Sequence, residues 1–139
     1  MVKTPKLYFY DTGLACNLLS IQNTKELELT HFKGALFENH VIMELLKQKH
    51  NSGSLDRFYY WRDNKGVEID LLIDRRNKLI PIEIKSSQTY NGEFTRSLLK
   101  WNNYSGNKGG ILLYDGKLEM TTKEKIQVLN WKNFKTGKK

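Results

Sequence analysis

The chain has 139 residues, of which 39% are hydrophobic and 27% charged, enough for one packed domain and too few for two. It contains no run of 18 apolar residues and no apolar signal-peptide core at its start, and Cys16 is its single cysteine. Membrane-spanning, secreted, disulfide-scaffold and Cys-rich zinc classes are disfavoured, a cytoplasmic location is expected, and a formal charge of +8 points to polyanions as partners.

Residues 1–33 read as an N-terminal segment leading into the core: a short strand over 6–10 (KLYFY), then a helix capped by Asp11 or Thr12 and carrying Leu14, Leu18 and Leu19. Residues 21–33 have no clear period. From Gly34 to about His50 the spacing is helical, with Ala35, Val41, Ile42, Leu45 and Leu46 on one side and His40, Glu44 and Lys47 on another. The turn segment 51–56 precedes three β-rich runs, 57–63, 67–74 and 79–86, joined by separators too short for a parallel crossover. They are expected to form an antiparallel meander. A second helix follows over 91–104, with Asn91 as its cap and Phe94, Leu98 and Trp101 on its apolar face. Residues 110–114 (GILLY) read as a buried strand, 117–121 and 125–129 as shorter ones, and the lysine-rich 132–139 as a frayed, disordered tail. The expected core is therefore 34–131, an α/β fold in the order helix, meander, helix, strand, with a mixed sheet flanked by helices.

Strict alternation places Val67, Ile69, Leu71 and Ile73 on a core face and Glu68, Asp70, Leu72 and Asp74 on the other. On the next strand it separates Ile82 and Ile84 from Glu83 and Lys85. If the strands are neighbours, Asp70 and Glu83 come together with Lys85 one pleat further on. Glu38 lies on a helical stripe that is otherwise apolar or small, so its carboxylate points inward and requires a proton, a cation or a metal. Clustered carboxylate oxygens suit Mg²⁺ or Mn²⁺, with Asp70 and Glu83 as the metal ligands. Such a site supports phosphodiester hydrolysis, Lys85 holding a phosphate oxygen or the attacking hydroxide and Glu38 assisting. Glu68 is a secondary ligand or a solvated strand residue.

Glu38, Asp70 and Glu83-x-Lys85, on helix, second strand and third strand, resemble the PD-(D/E)XK nuclease signature, although Ile69 stands where that signature has Pro. The resemblance implies a restriction-endonuclease-like core and Mg²⁺-dependent DNA cleavage by these four residues. Over most of the chain, LYFYDTGLA, GALFENHVIMEL, YYWRDNKGVEIDLLI and PIEIKSS are similar to the domain of unknown function at the C-terminus of many prokaryotic AAA+-like ATPases. That likeness implies a larger protein in which P-loop ATPase and winged-helix regions precede this domain. No P-loop is present here, the nearest approach, 110–117, having the wrong spacing.

The positive charge is one-sided: residues 1–56 hold six basic and six acidic side chains, and 57–139 hold 17 and nine. Arg62 and Lys65 in the first hairpin turn, Arg75, Arg76 and Lys78 in the second, and Arg96 and Lys100 on the second helix are candidates to grip phosphates beside the acids. Solvated turns explain the same residues. Of Phe58, Tyr59, Tyr60 and Trp61, at least half are expected in the core. His31, His40 and His50 lack zinc spacing and read as surface residues, and Cys16 as a small buried one. Two functions follow: a metal-dependent deoxyribonuclease, or a noncatalytic module that docks nucleic acid or protein for an attached ATPase. The state of oligomerisation is open.

Overall fold

The computed structural model describes residues 5–136. A six-stranded mixed sheet lies between helices, in the expected chain order. Helix α1 (Thr12–Leu18) begins at Asp11, whose carboxylate accepts from the Gly13 and Leu14 amides. The short α2 (Thr24–Leu29) begins at Asn23 in the stretch without a clear period, and α3 (Lys33–Asn51) is the long helix. Strands β1 (Arg57–Arg62), β2 (Glu68–Arg75) and β3 (Lys78–Lys85) form the antiparallel meander. A 3-10 turn (Gly92–Thr95), capped by Asn91, runs into α4 (Arg96–Ser105). Strands β4 (Gly110–Tyr114), β5 (Met120–Thr121) and β6 (Ile126–Asn130) complete the sheet in the order β1-β2-β3-β4-β6-β5. The crossover through α4 lets β4 pair parallel to β3, and β6 pairs parallel to β4.

Two cores result, one on each face of the sheet. Val41, Ile42 and Leu45 of α3 pack with Leu71, Ile73, Ile82, Ile84 and Leu113. Leu98 and Trp101 of α4 pack with Ile69, Leu72, Leu112 and Val128. Ile69 and Leu71 are thus on opposite faces, which corrects the strict alternation read from the sequence. The cause is a β-bulge: Tyr59 pairs with Leu72 and Trp61 with Ile69, so Tyr60 alone stands opposite both Asp70 and Leu71. Phe58 and Trp61 join the two cores, as expected for half of that aromatic run.

Residues 6–10 are extended but form no strand. At Phe9 a side chain of α3 takes the place of a neighbouring strand: the Phe9 N–H donates to Asn39 Oδ1 at 2.7 Å, and Asn39 Nδ2 donates to the Phe9 carbonyl at 2.8 Å. Part of the tail expected to be frayed is anchored: after a 3-10 turn (Trp131–Asn133), Phe134 packs against the α3 core and Thr136 is buried, its amide donating to Gln48 Oε1. Residues 137–139 of that tail lie outside the described residues. His40 stacks edge-on against Trp131 at 5.1 Å and is half-buried, as is Cys16, while His31 and His50 are exposed. Among the described residues no helix is long and apolar enough to cross a membrane.

Candidate active site

The β2–β3 ladder ends at the pair Leu71 and Ile82. One residue further, Asp70 Oδ2 accepts the Ile84 N–H at 2.8 Å, so a carboxylate takes the place of a backbone carbonyl. The bulge in the β1–β2 pairing falls at Asp70, next to the last pair of the β2–β3 ladder, and β3 continues against β4 as far as Lys85. Glu83 is held from the other direction: its Oε1 accepts from Lys85 Nζ at 2.5 Å. Both acids are buried, Asp70 with 8% and Glu83 with 4% of its surface exposed.

Each acid therefore has one oxygen tied down and one uncommitted. Among the described residues, Glu83 Oε2 is buried and has no hydrogen-bond partner. Asp70 Oδ1 is 4.0 Å from the ammonium of Lys6, too far for a hydrogen bond. Burial, with the charges of Glu83 and Glu38 adding to it, pushes the Asp70 carboxyl up to about 7. Burial raises Glu83 as well, against the opposing pull of Lys85. Burial would lower Lys85, but the adjoining Glu83 carboxylate outweighs it and keeps the amine protonated. Two acids that resist ionisation beside a retained ammonium form a site in which an additional cation would be stabilising.

Glu38, one turn before Val41 on α3, does face this region. Its Oε1 lies 2.7 Å from Lys6 Nζ and accepts from the Tyr8 hydroxyl at 2.9 Å. Lys6 Nζ also donates to Glu68 Oε1 at 2.7 Å and lies 4.9 Å from the Tyr60 ring centroid. Burial works against the Lys6 charge, but its hydrogen bonds to Glu38 and Glu68 more than offset that and hold it protonated. The same bond to Lys6 brings Glu68 below its ordinary value despite partial burial. Sequence reasoning missed Lys6, Tyr8 and Tyr60. The available signal was an amine and a hydroxyl two residues apart in an extended run, hence on one side of it.

The structure brings Glu38, Asp70, Glu83 and Lys85 to one end of the sheet, together with Glu68, the secondary candidate. Among the described residues no three or more His, Cys, Asp or Glu side chains are arranged as a ready-made metal centre. The uncommitted oxygens of Asp70 and Glu83 nevertheless fit a hard divalent cation of the Mg²⁺ or Mn²⁺ type, which is commonly held by one or two carboxylates with water and phosphate completing its shell.

The basic candidates divide. Arg62 pairs in register with Glu68, and Lys65 lies in the adjoining turn, so both are exposed at the acid end. Asn107 at the end of α4 donates to Leu79 at the start of β3, so α4 runs back along the strand and places exposed Arg96 toward the Lys85 end, with Lys100 a turn further. Arg75, Arg76 and Lys78 are at the opposite end of the meander, about 17–20 Å along β2 from Asp70 at the usual rise per residue. They are not beside the acids. Arg75 is moreover engaged, donating to both oxygens of buried Asp56 at 2.6–3.1 Å, and this guanidinium holds the Asp56 carboxyl below its usual range.

A family model described as a domain of unknown function, DUF4143, matches residues 33–134. The uncharacterized protein Rv2008c of Mycobacterium tuberculosis and the uncharacterized protein Mb2031c of Mycobacterium bovis are each 32% identical to the chain over 87 residues. That stretch is 63% of this chain and 19% of either relative, so the chain matches about a fifth of their length. No solved structure gives a significant match. The matched span contains Glu38, Asp70, Glu83 and Lys85 and the whole sheet, and on that coverage the chain belongs to the DUF4143 family.

Proposed function

We propose that this domain is a PD-(D/E)XK-type nuclease that hydrolyses DNA phosphodiesters with Mg²⁺ or Mn²⁺ held by Asp70 and Glu83. The observation that carries the reading is the buried, unpartnered Glu83 Oε2 beside an Asp70 whose second oxygen is likewise uncommitted. Leaving a buried polar atom unsatisfied is costly, and a cation is what the surrounding carboxylates would accept. A divalent ion bound there supplies an acidified water and offsets the charge that develops on the phosphate.

The chain's own residues do the rest. Lys85 spends one of its three donors on Glu83 and keeps two for a phosphate oxygen, with the ammonium retained by the neighbouring acids. The Ile84 amide fixes the Asp70 carboxylate, so the ligand oxygen needs little reorganisation. Arg62, Lys65, Arg96 and Lys100 offer exposed charge for the DNA backbone toward this end of the sheet. In this reading the domain is part of a larger cytoplasmic protein with ATPase and winged-helix regions; the mycobacterial relatives are themselves about five times as long as the stretch they share with this chain.

Cleavage of supercoiled, single-stranded and branched DNA with Mg²⁺ or Mn²⁺ tests the proposal. We expect EDTA-sensitive nicking that falls about 100-fold or more in Asp70→Asn, Glu83→Gln and Lys85→Ala with folding intact. No cleavage with either ion, or wild-type cleavage by Asp70→Asn, overturns it.

One observation favours a second reading, a noncatalytic nucleic-acid-binding or protein-docking module. Lys6 already compensates Glu38 and Glu68 internally. In that case Asp70→Asn leaves DNA binding unchanged or tightens it, and no ion-dependent cleavage is found.

A further inference from the structure

Lys6 reaches into the acid cluster from outside the sheet. Its Nζ is 2.7 Å from both Glu38 Oε1 and Glu68 Oε1 and 4.0 Å from Asp70 Oδ1, with the Tyr60 ring face at 4.9 Å. The segment that carries it is fastened to α3 at two consecutive positions. Tyr8 donates to Glu38, and Asn39 exchanges hydrogen bonds with the Phe9 backbone and donates to Thr12 Oγ1 at 3.0 Å. An apolar cavity of about 270 Å³ borders Lys6 and Glu38 between this segment, α1 and α3.

We infer that Lys6 is an internal competitor for the divalent ion, so that segment 5–10 sets the metal affinity of the acid cluster. The inference rests on the reading of Asp70 and Glu83 as ligands. An ammonium and a divalent cation repel, and Lys6 Nζ stands 4.0 Å from Asp70 Oδ1, the oxygen offered to the metal, so the metal binds to conformers in which Lys6 has withdrawn from that position. The apparent dissociation constant then equals the intrinsic one divided by the fraction of molecules with Lys6 withdrawn. Lys6 supplies no ligand and holds no reacting atom. It is a residue that limits occupancy, and Tyr8 is a positioning residue that keeps it in place.

Calorimetric titration with Mn²⁺ at pH 7.5 of the wild type, Lys6→Met, Tyr8→Phe and Asp70→Asn, each checked for folding by circular dichroism, tests this. Lys6→Met is expected to bind Mn²⁺ at least about tenfold more tightly than wild type, the fold-change of one charge-assisted hydrogen bond. Tyr8→Phe, which leaves every charge in place, is expected to bind it about two- to fivefold more tightly. Asp70→Asn is expected to lose binding. If Lys6→Met binds no more tightly than wild type while Asp70→Asn loses binding, the competitor role is wrong and the metal site stands. If neither wild type nor Lys6→Met binds Mn²⁺, both readings fail. Should Lys6→Met not fold, Tyr8→Phe decides, and wild-type affinity in that variant overturns the inference.

Discussion

Asp70 couples the site to pH. An unfolded aspartate titrates near 3.9, whereas burial and the charges of Glu83 and Glu38 push the folded carboxyl up to about 7. Between these values the folded state binds more protons than the unfolded one, so this group's contribution to stability is complete below about pH 4 and is lost as the pH rises through 7. Asp70→Asn is therefore predicted to match wild type at pH 4 and to exceed it by roughly 2–4 kcal/mol at pH 8. Denaturant melts at the two pH values check this, and an equal difference at both contradicts it. Because the ligand must lose that proton, Mn²⁺ affinity is predicted to drop about tenfold per pH unit between 7 and 5, which titration across that range reads directly. The placement of Glu38, Asp70, Glu83 and Lys85 at one end of the sheet was legible in the sequence, Glu38 as an acid on an apolar helical stripe and the other three from alternation on two neighbouring strands. Lys6 was not, because its partners are 32 and 62 residues away and only the packed structure brings a short extended segment across the end of the sheet.

At the scale of elements, the meander and both flanking helices follow from period and turn chemistry, but the bulge does not. Alternation has no term for an extra residue, yet Asp70 and Leu71 share one partner position, and this splits the apolar set between two cores. The short α2 was legible and overlooked, since Asn23 and Glu26 form a reciprocal cap, with the Glu26 amide donating to Asn23 and the Gln22 amide to Glu26. The β2–β3 turn holds Arg76 at φ 49° and Asn77 at φ 68°, the left-handed pair of a two-residue hairpin. Arg76→Asn with Asn77→Gly is predicted to stabilise the fold by about 0.5–1 kcal/mol, measured by urea denaturation. Arg75 serves this end of the meander by neutralising buried Asp56. Arg75→Met is predicted to destabilise by about 3 kcal/mol and to leave Mn²⁺ affinity unchanged, because the uncompensated Asp56 is far from the acid cluster. A loss of metal binding in the folded variant would show that the two ends are coupled.

Over the whole molecule, the +8 charge resides in residues 57–139, but the fold distributes it over both ends of the sheet. If DNA lies across the acids, reversing Arg62, Lys65 and Arg96 to Glu is predicted to weaken binding more than reversing Arg76 and Lys78, and to reduce the slope of log affinity against log salt by about one for each phosphate no longer neutralised. Equal weakening at the two ends would mean that charge alone attracts the polyanion. The proposed hydrolysis depends on a cation between two acids from adjacent strands. Anomalous diffraction from crystals of wild type and Lys6→Met soaked in Mn²⁺ tests that most directly. A single peak bound by the Asp70 and Glu83 carboxylates, stronger in Lys6→Met, is predicted, and crystals of both proteins with no peak between those two side chains would contradict it.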